Sequence, residues 1–202
     1  MNRIITVSRE FGSGGRELGK RLAELLNIAY YDKEVISAIS EKSSLAESYV
    51  EQIVEHHIVN YYPITIATSF AAMPYDAMSH INRSIYTAQA EVLKEMAEQG
   101  DCVIVGRCAD HILREHQPLN LFVYADMPNK IARCREKGGE IAELSDKDLA
   151  RRITAVDKSR AKYYSSYTGR IWGDKLNYDV CVNTSKRSIK DLAASIAHLI
   201  GD

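Results

Sequence analysis

The sequence has four cysteines, Cys102, Cys108, Cys134 and Cys181, and no Cys-x-x-Cys pair. That spacing excludes the usual zinc motifs and a dithiol redox centre, and no metal-ligating residues are expected. An excess of one charge is also missing, since the formal net charge is −1 over 202 residues. Neither nucleic acid nor a membrane surface is therefore expected as a partner. There is no long uninterrupted apolar run. The most apolar middle stretch, 58–73, is broken by Asn60, Pro63, Thr65, Thr68 and Ser69, so no membrane span is expected. The opening residues turn polar too soon for a signal peptide. Free thiols without an export signal make the cytoplasm the expected compartment. Internal repeats and low-complexity tracts are absent.

What is present suits one compact domain over 1–202, because a hydrophobic fraction of 46% supplies a sizeable core. Ile4-Ile5-Thr6-Val7 reads as a short buried strand. A glycine-rich turn, Phe11-Gly12-Ser13-Gly14-Gly15, follows it. Residues 16–27 then read as a helix with Leu18, Leu22, Leu25 and Leu26 on an apolar face. A second strand over 28–32 ends in Asp32. This order of strand, helix and strand predicts a parallel sheet with right-handed crossovers. Residues 33–100 hold no strand pattern and read as helices over 34–41, 45–59 and 81–99. Further strands are expected at 102–105, 119–124 and 178–182. Helices are expected at 111–115, 129–136, 146–164 and 188–200.

The chemistry concentrates at the first turn. Glycines let the chain bend sharply and bring backbone N–H groups close to an anion. The following helix adds partial positive charge. Gly12, Gly14 and Gly15 thus form a candidate phosphate cradle, with Ser13 as a further donor; the alternative is an ordinary tight turn without a ligand. Asp32 stands at the strand mouth where open α/β sheets bind ligands, and Asp is equally a favoured helix cap. Cys108 reads as a packed residue, since only His111 is near enough to activate it. The aromatic residues Tyr61, Tyr62 and Tyr75, and Tyr163, Tyr164, Tyr167 and Trp172, suit base stacking, core packing or a homodimer interface.

Together with Gly106-Arg107, residues 121–125, Asp157-Lys158-Ser159-Arg160 and 182–185, this N-terminal unit resembles the cytidylate kinase-like family of the P-loop nucleoside monophosphate kinase superfamily. The resemblance implies a P-loop kinase-type three-layer α/β/α fold. Its parts would be a five-stranded parallel sheet, a helical acceptor-binding insert at 33–100 and a lid at about 133–160 hinged at Gly138-Gly139. It implies ATP as donor, Mg²⁺ held through water, and a small nucleotide as acceptor. A P-loop reads G-x-x-x-x-G-K-[ST]. Here Arg9 stands at its first glycine, Gly14 at its second, Gly15 at its lysine and Arg16 at its hydroxyl. Gly14 to Lys20 also spells G-x-x-x-x-G-K, but that register would start a helix inside the leucine-periodic one.

By this resemblance Arg16 supplies the missing charge, with Lys20 either assisting or solvated. Arg133 and Arg160 are the catalytic arginines that close on the phosphoryl group. Asp32, Arg107, Asp110, Asp157 and Arg160 hold the acceptor, and Asn183 and Thr184 touch the donor base. The function implied is transfer of the ATP γ-phosphoryl group to a nucleoside monophosphate or similar acceptor. Two alternatives stand beside it: a nucleotide or phosphometabolite sensor without efficient transfer, and a small-molecule kinase with a non-nucleotide acceptor.

Overall fold

The computed structural model describes residues 2–51, 53, 54 and 75–201. Five parallel strands form one sheet: β1 (Ile4–Arg9), β2 (Ala29–Tyr31), β3 (Cys102–Val105), β4 (Leu119–Tyr124) and β5 (Val180–Asn183). Their order is β2-β3-β1-β4-β5. β1 is buried along its whole length, as a central strand covered on both faces requires. Its register pairs Val7 with Val105 on one side and with Leu121 on the other.

Helices cover both faces. α1 (Gly15–Leu26) and the closing α8 (Ile189–Gly201) pack together on one face. Leu18 and Leu22 are fully buried there, each stabilising the fold by about 2 kcal/mol. Leu25, expected on the same apolar face, is 56% exposed. It lies in the last turn of the helix, where Leu26 is the leucine that packs against this core. The other face carries α2 (Glu34–Ser43), α3 (Glu47–Glu51), α4 (Tyr75–Gln99), the short α5 (Ala109–Ile112) and the C-terminal end of α7 (Asp146–Thr168). Between β4 and α7 lies α6 (Met127–Glu136). Cys134, Leu149 and Ile153 join α6 and α7 in a small core of their own, with Phe11 packed against it.

The helix starts follow local rules. Asp126 caps α6 by accepting from the Asn129 N–H at 2.9 Å, with Pro128 in the first turn. Ser145 caps α7 in the same way through Asp148. α1 is different. Its cap is Gly14 at φ 83°, with no capping side chain. The helical boundaries expected from sequence agree within a few residues, except that α4 begins at Tyr75 and α7 runs on to Thr168. Of the helix expected over 45–59, α3 covers Glu47–Glu51, while residues 52 and 55–59, together with Tyr61 and Tyr62, lie outside the described residues.

The chain places β2 and β3 on one side of β1, and β4 and β5 on the other. The strand order therefore reverses at β1. Open α/β sheets bind ligands in the crevice beyond the strand ends at such a reversal. The glycine-rich turn leaves β1 at that point.

Candidate functional site

The turn after β1 is held from outside by its carbonyl groups. The Ser13 hydroxyl donates to the Glu10 carbonyl at 2.8 Å. The Thr184 hydroxyl donates to the Ser13 carbonyl at 2.7 Å. Arg133 reaches the Gly12 carbonyl at 3.5 Å and also donates to the Thr184 carbonyl. Three turn carbonyls are thus directed at protein donors. A carbonyl aimed inward would repel an anion, so this arrangement favours a cradle. At the start of α1 the first N–H groups have no carbonyl partner within the helix.

A buried charge cluster fixes the turn to α6 and α7. Lys130, 5% exposed, lies 2.7 Å from Glu10 Oε2 and 3.0 Å from Asp157 Oδ2. Asp157 Oδ1 accepts from the Phe11 N–H at 2.7 Å. Burial raises the Asp157 carboxyl above its ordinary value, while the Phe11 N–H and Lys130 oppose the shift. Space is also tight. A Cβ at Gly12 would come within 2.9 Å of the Lys130 carbonyl oxygen, and φ there is +74°.

Next to the turn, arginines converge. Arg9 ends β1 and is 7% exposed. Its guanidinium crosses Gly106, where an added Cβ would lie 1.8 Å from Nη1, and stands 4.0 Å from Asp32 Oδ1. Arg16 Nε lies 2.9 Å from the other oxygen of that carboxylate, Asp32 Oδ2. Arg160 donates to the Arg9 carbonyl at 3.1 Å and stands over the Phe11 ring. Arg9, Arg107 and Arg160 line one pocket together with Tyr163, Tyr164 and Trp172. Three successive residues on its wall, Gly106, Arg107 and Cys108, have positive φ at 76°, 62° and 53°. Non-glycine residues so held cost about 1–3 kcal/mol each, and such strain clusters at functional sites. Gln89 secures the strained stretch by donating to the Arg107 carbonyl at 2.8 Å, and Tyr163 donates to Gln89 at 3.1 Å.

The structure brings most of the residues singled out by sequence to this edge, in unequal positions. Arg107 and Arg160 line the pocket, and Asp32 stands beside it between two guanidiniums. Asp110 is buried beneath the pocket wall, where it accepts from the Tyr164 hydroxyl at 2.6 Å, and burial raises its carboxyl above the ordinary value. Asp157 lies under the turn. Arg133 is occupied with turn carbonyls. Thr184 is fully buried with its hydroxyl on Ser13, while Asn183 is exposed and accepts from the Ser185 N–H. Ser13 is also fully buried with its hydroxyl on Glu10, so its side chain is not directed to a ligand. Tyr167 stacks on Tyr86 at 4.1 Å and Trp172 meets Phe122 edge-on at 5.3 Å, both packing contacts. Cys108 is packed, and burial pushes its thiol up, which makes it a poor nucleophile.

Sequence reasoning missed Arg9, Glu10, Lys130 and Gln89. Two of these carried a signal. Arg9 ends an otherwise uncharged strand. Lys130 shares a helix face with Cys134 at the i, i+4 spacing. Among the described residues, no group of three or more His, Cys, Asp or Glu is placed to hold a metal ion, and no helix is long and apolar enough to cross a membrane.

The comparisons agree with this architecture. An uncharacterized protein from Eubacterium ventriosum is 25% identical, with a TM-score of 0.70, covering 100% of this chain and 99% of that one. A shikimate kinase from Bacteroides thetaiotaomicron is 16% identical with a TM-score of 0.58, covering 100% of both chains. A shikimate kinase from Acinetobacter baumannii, in complex with shikimate, is 17% identical with a TM-score of 0.54, covering 99% of this chain and 93% of that one. The fold is thus that of the P-loop kinases. No curated protein matches the chain. The profile of the cytidylate kinase-like family matches residues 4–186, nearly the whole length, and the chain belongs to that family.

Proposed function

We propose that this kinase-type protein transfers the γ-phosphoryl group of ATP to a small phosphorylated acceptor, a nucleoside monophosphate or a close analogue. The observation that carries the reading is one juxtaposition. A carbonyl-out glycine turn at an uncapped helix start lies next to a pocket lined by Arg9, Arg107 and Arg160. The donor phosphates lie on Gly12 to Arg16, and the acceptor phosphate enters the arginine pocket. Phosphoryl transfer needs little covalent help from a protein, since positioning and neutralisation of charge do most of the work.

Asp32 is held between Arg9 and Arg16, and the hydroxyl that phosphate loops present to Mg²⁺ is replaced by Arg16. These residues do not form a resident metal site. Magnesium therefore belongs to the substrate as the ATP complex. Arg16, Arg133 and Arg160 keep the cationic environment, with Arg133 acting through the shape of the turn. Residues 33–100 supply the remaining acceptor contacts, and 133–160 the lid.

The test is a coupled assay of ATP turnover against a panel of nucleoside monophosphates, with calorimetry of ATP binding in parallel. Turnover with one monophosphate, reduced at least 100-fold in Arg107→Ala, is the expected result. ATP binding without turnover on any phosphorylated or non-phosphorylated acceptor would replace this reading by that of a sensor. The missing loop lysine is the observation favouring that second reading.

A further inference from the structure

In a phosphate loop of the usual kind, the first glycine leaves β1 free of a side chain and a lysine at the helix start reaches the β- and γ-phosphates. Here both positions are inverted. Arg9 stands where that glycine would be, and Gly15 where the lysine would be. The two changes are linked by space. A Cβ at Gly15 would lie 2.4 Å from Arg9 Cβ and 3.0 Å from Arg9 Cγ. The Arg9 stem therefore occupies the room that a side chain at 15 would need, and neither position can carry a long side chain while the other does. Farther out, the Arg9 head crosses Gly106, faces Asp32, and lines the pocket with Arg107 and Arg160. Its side chain runs from the start of α1, where a terminal donor phosphate would end, to the pocket, where the acceptor would begin.

We infer that Arg9 and Gly15 are a reciprocal exchange, in which the cation for the transferred phosphoryl group comes from the end of β1 instead of the start of α1. This rests on the phosphotransfer reading above. A guanidinium also differs from an ammonium in kind. Its planar fork can hold two oxygens of one phosphoryl group, which suits a group in passage between donor and acceptor. Arg16, which the sequence favours for this task, pairs with the other oxygen of Asp32.

The experiment compares the wild type with Arg9→Gly, Arg9→Gln, Gly15→Lys and the double variant Arg9→Gly/Gly15→Lys. Calorimetry reads the affinity for magnesium ATP against ADP, and circular dichroism checks folding. The wild type is expected to prefer ATP. Arg9→Gly and Arg9→Gln should lose that preference by tenfold or more, and Arg9→Gln does so while keeping the stem beside Gly15. Gly15→Lys should melt lower and bind both nucleotides less tightly. The double variant should recover the ATP preference to within a few-fold of the wild type. A wild type without ATP preference, Arg9 variants that keep it, or a folded double variant no better than Arg9→Gly would each overturn the exchange. A wild type that binds neither nucleotide would remove the phosphotransfer reading itself, and the exchange with it.

Discussion

The two halves of the site are built by opposite means. On the cradle side, the proposed ligand groups are backbone N–H groups; Thr184, just after β5, and Arg133 of α6 hold the turn's carbonyls, and Asp157 of α7 accepts from the Phe11 N–H. On the pocket side, the lining groups are the side chains of Arg9, Arg107 and Arg160, and the backbone at Gly106 to Cys108 is strained and held by Gln89. A backbone cradle tolerates little change in its neighbours, because a displaced turn loses every N–H at once. A side-chain pocket can be altered one charge at a time. Damage to the first should thus appear as lost stability and lost nucleotide binding together, and damage to the second as lost transfer with the fold intact.

The largest stability effect is expected from Lys130→Met. Removing the buried ammonium leaves the half-buried Glu10 and Asp157 carboxylates without their shared partner, at a cost of roughly 3 kcal/mol. Thermal unfolding should fall by roughly 10 °C, with nucleotide affinity falling in parallel. A loss under 2 °C would show that the cluster does not hold the turn. Thr184→Val is smaller. It takes the hydroxyl from the buried Ser13 carbonyl and should cost about 1–2 kcal/mol, read as a shift in the denaturant midpoint. An unchanged midpoint would mean that the carbonyl finds another donor.

Asp110→Asn is expected to do least at neutral pH, and it separates the pocket side from the cradle. Burial raises the Asp110 carboxyl, against the opposing hydrogen bond from Tyr164. The folded protein then binds this proton more tightly than the unfolded chain does. That stabilisation is complete below the ordinary aspartate value of 3.8 and is lost as pH rises through the raised value. Asn can still accept from Tyr164 but cannot ionise. The variant should therefore melt at or above the wild type at neutral pH, and the gap should close on acidification. A variant that is less stable at neutral pH would contradict this.

The sheet and the position of the glycine turn were legible in the sequence, while the inner faces of the candidate site were not. β3 and β4 coincide with their expected bounds because short apolar runs between turn signals leave few alternatives. The turn between β1 and α1 was legible because glycines between a strand and a helix have a clear backbone meaning. The roles of side chains were less so. Thr184, Arg133 and Asp157 were singled out as ligand contacts, and each is bonded to the turn from behind. A sequence position near the strand ends does not say which way a side chain faces. Arg9 was hidden for a related reason, since its meaning depends on Gly15 and Gly106, the second of them 97 positions away along the chain.

The central claim is that the turn from Gly12 to Arg16 holds phosphate through its backbone. It is tested most directly by titrating ¹⁵N-labelled protein with inorganic phosphate and then with ADP, following each amide. The account predicts that Gly12, Gly14, Gly15 and Arg16 shift together and saturate with both ligands. Shifts confined to other parts of the molecule, with these four amides unmoved at saturation, would contradict it.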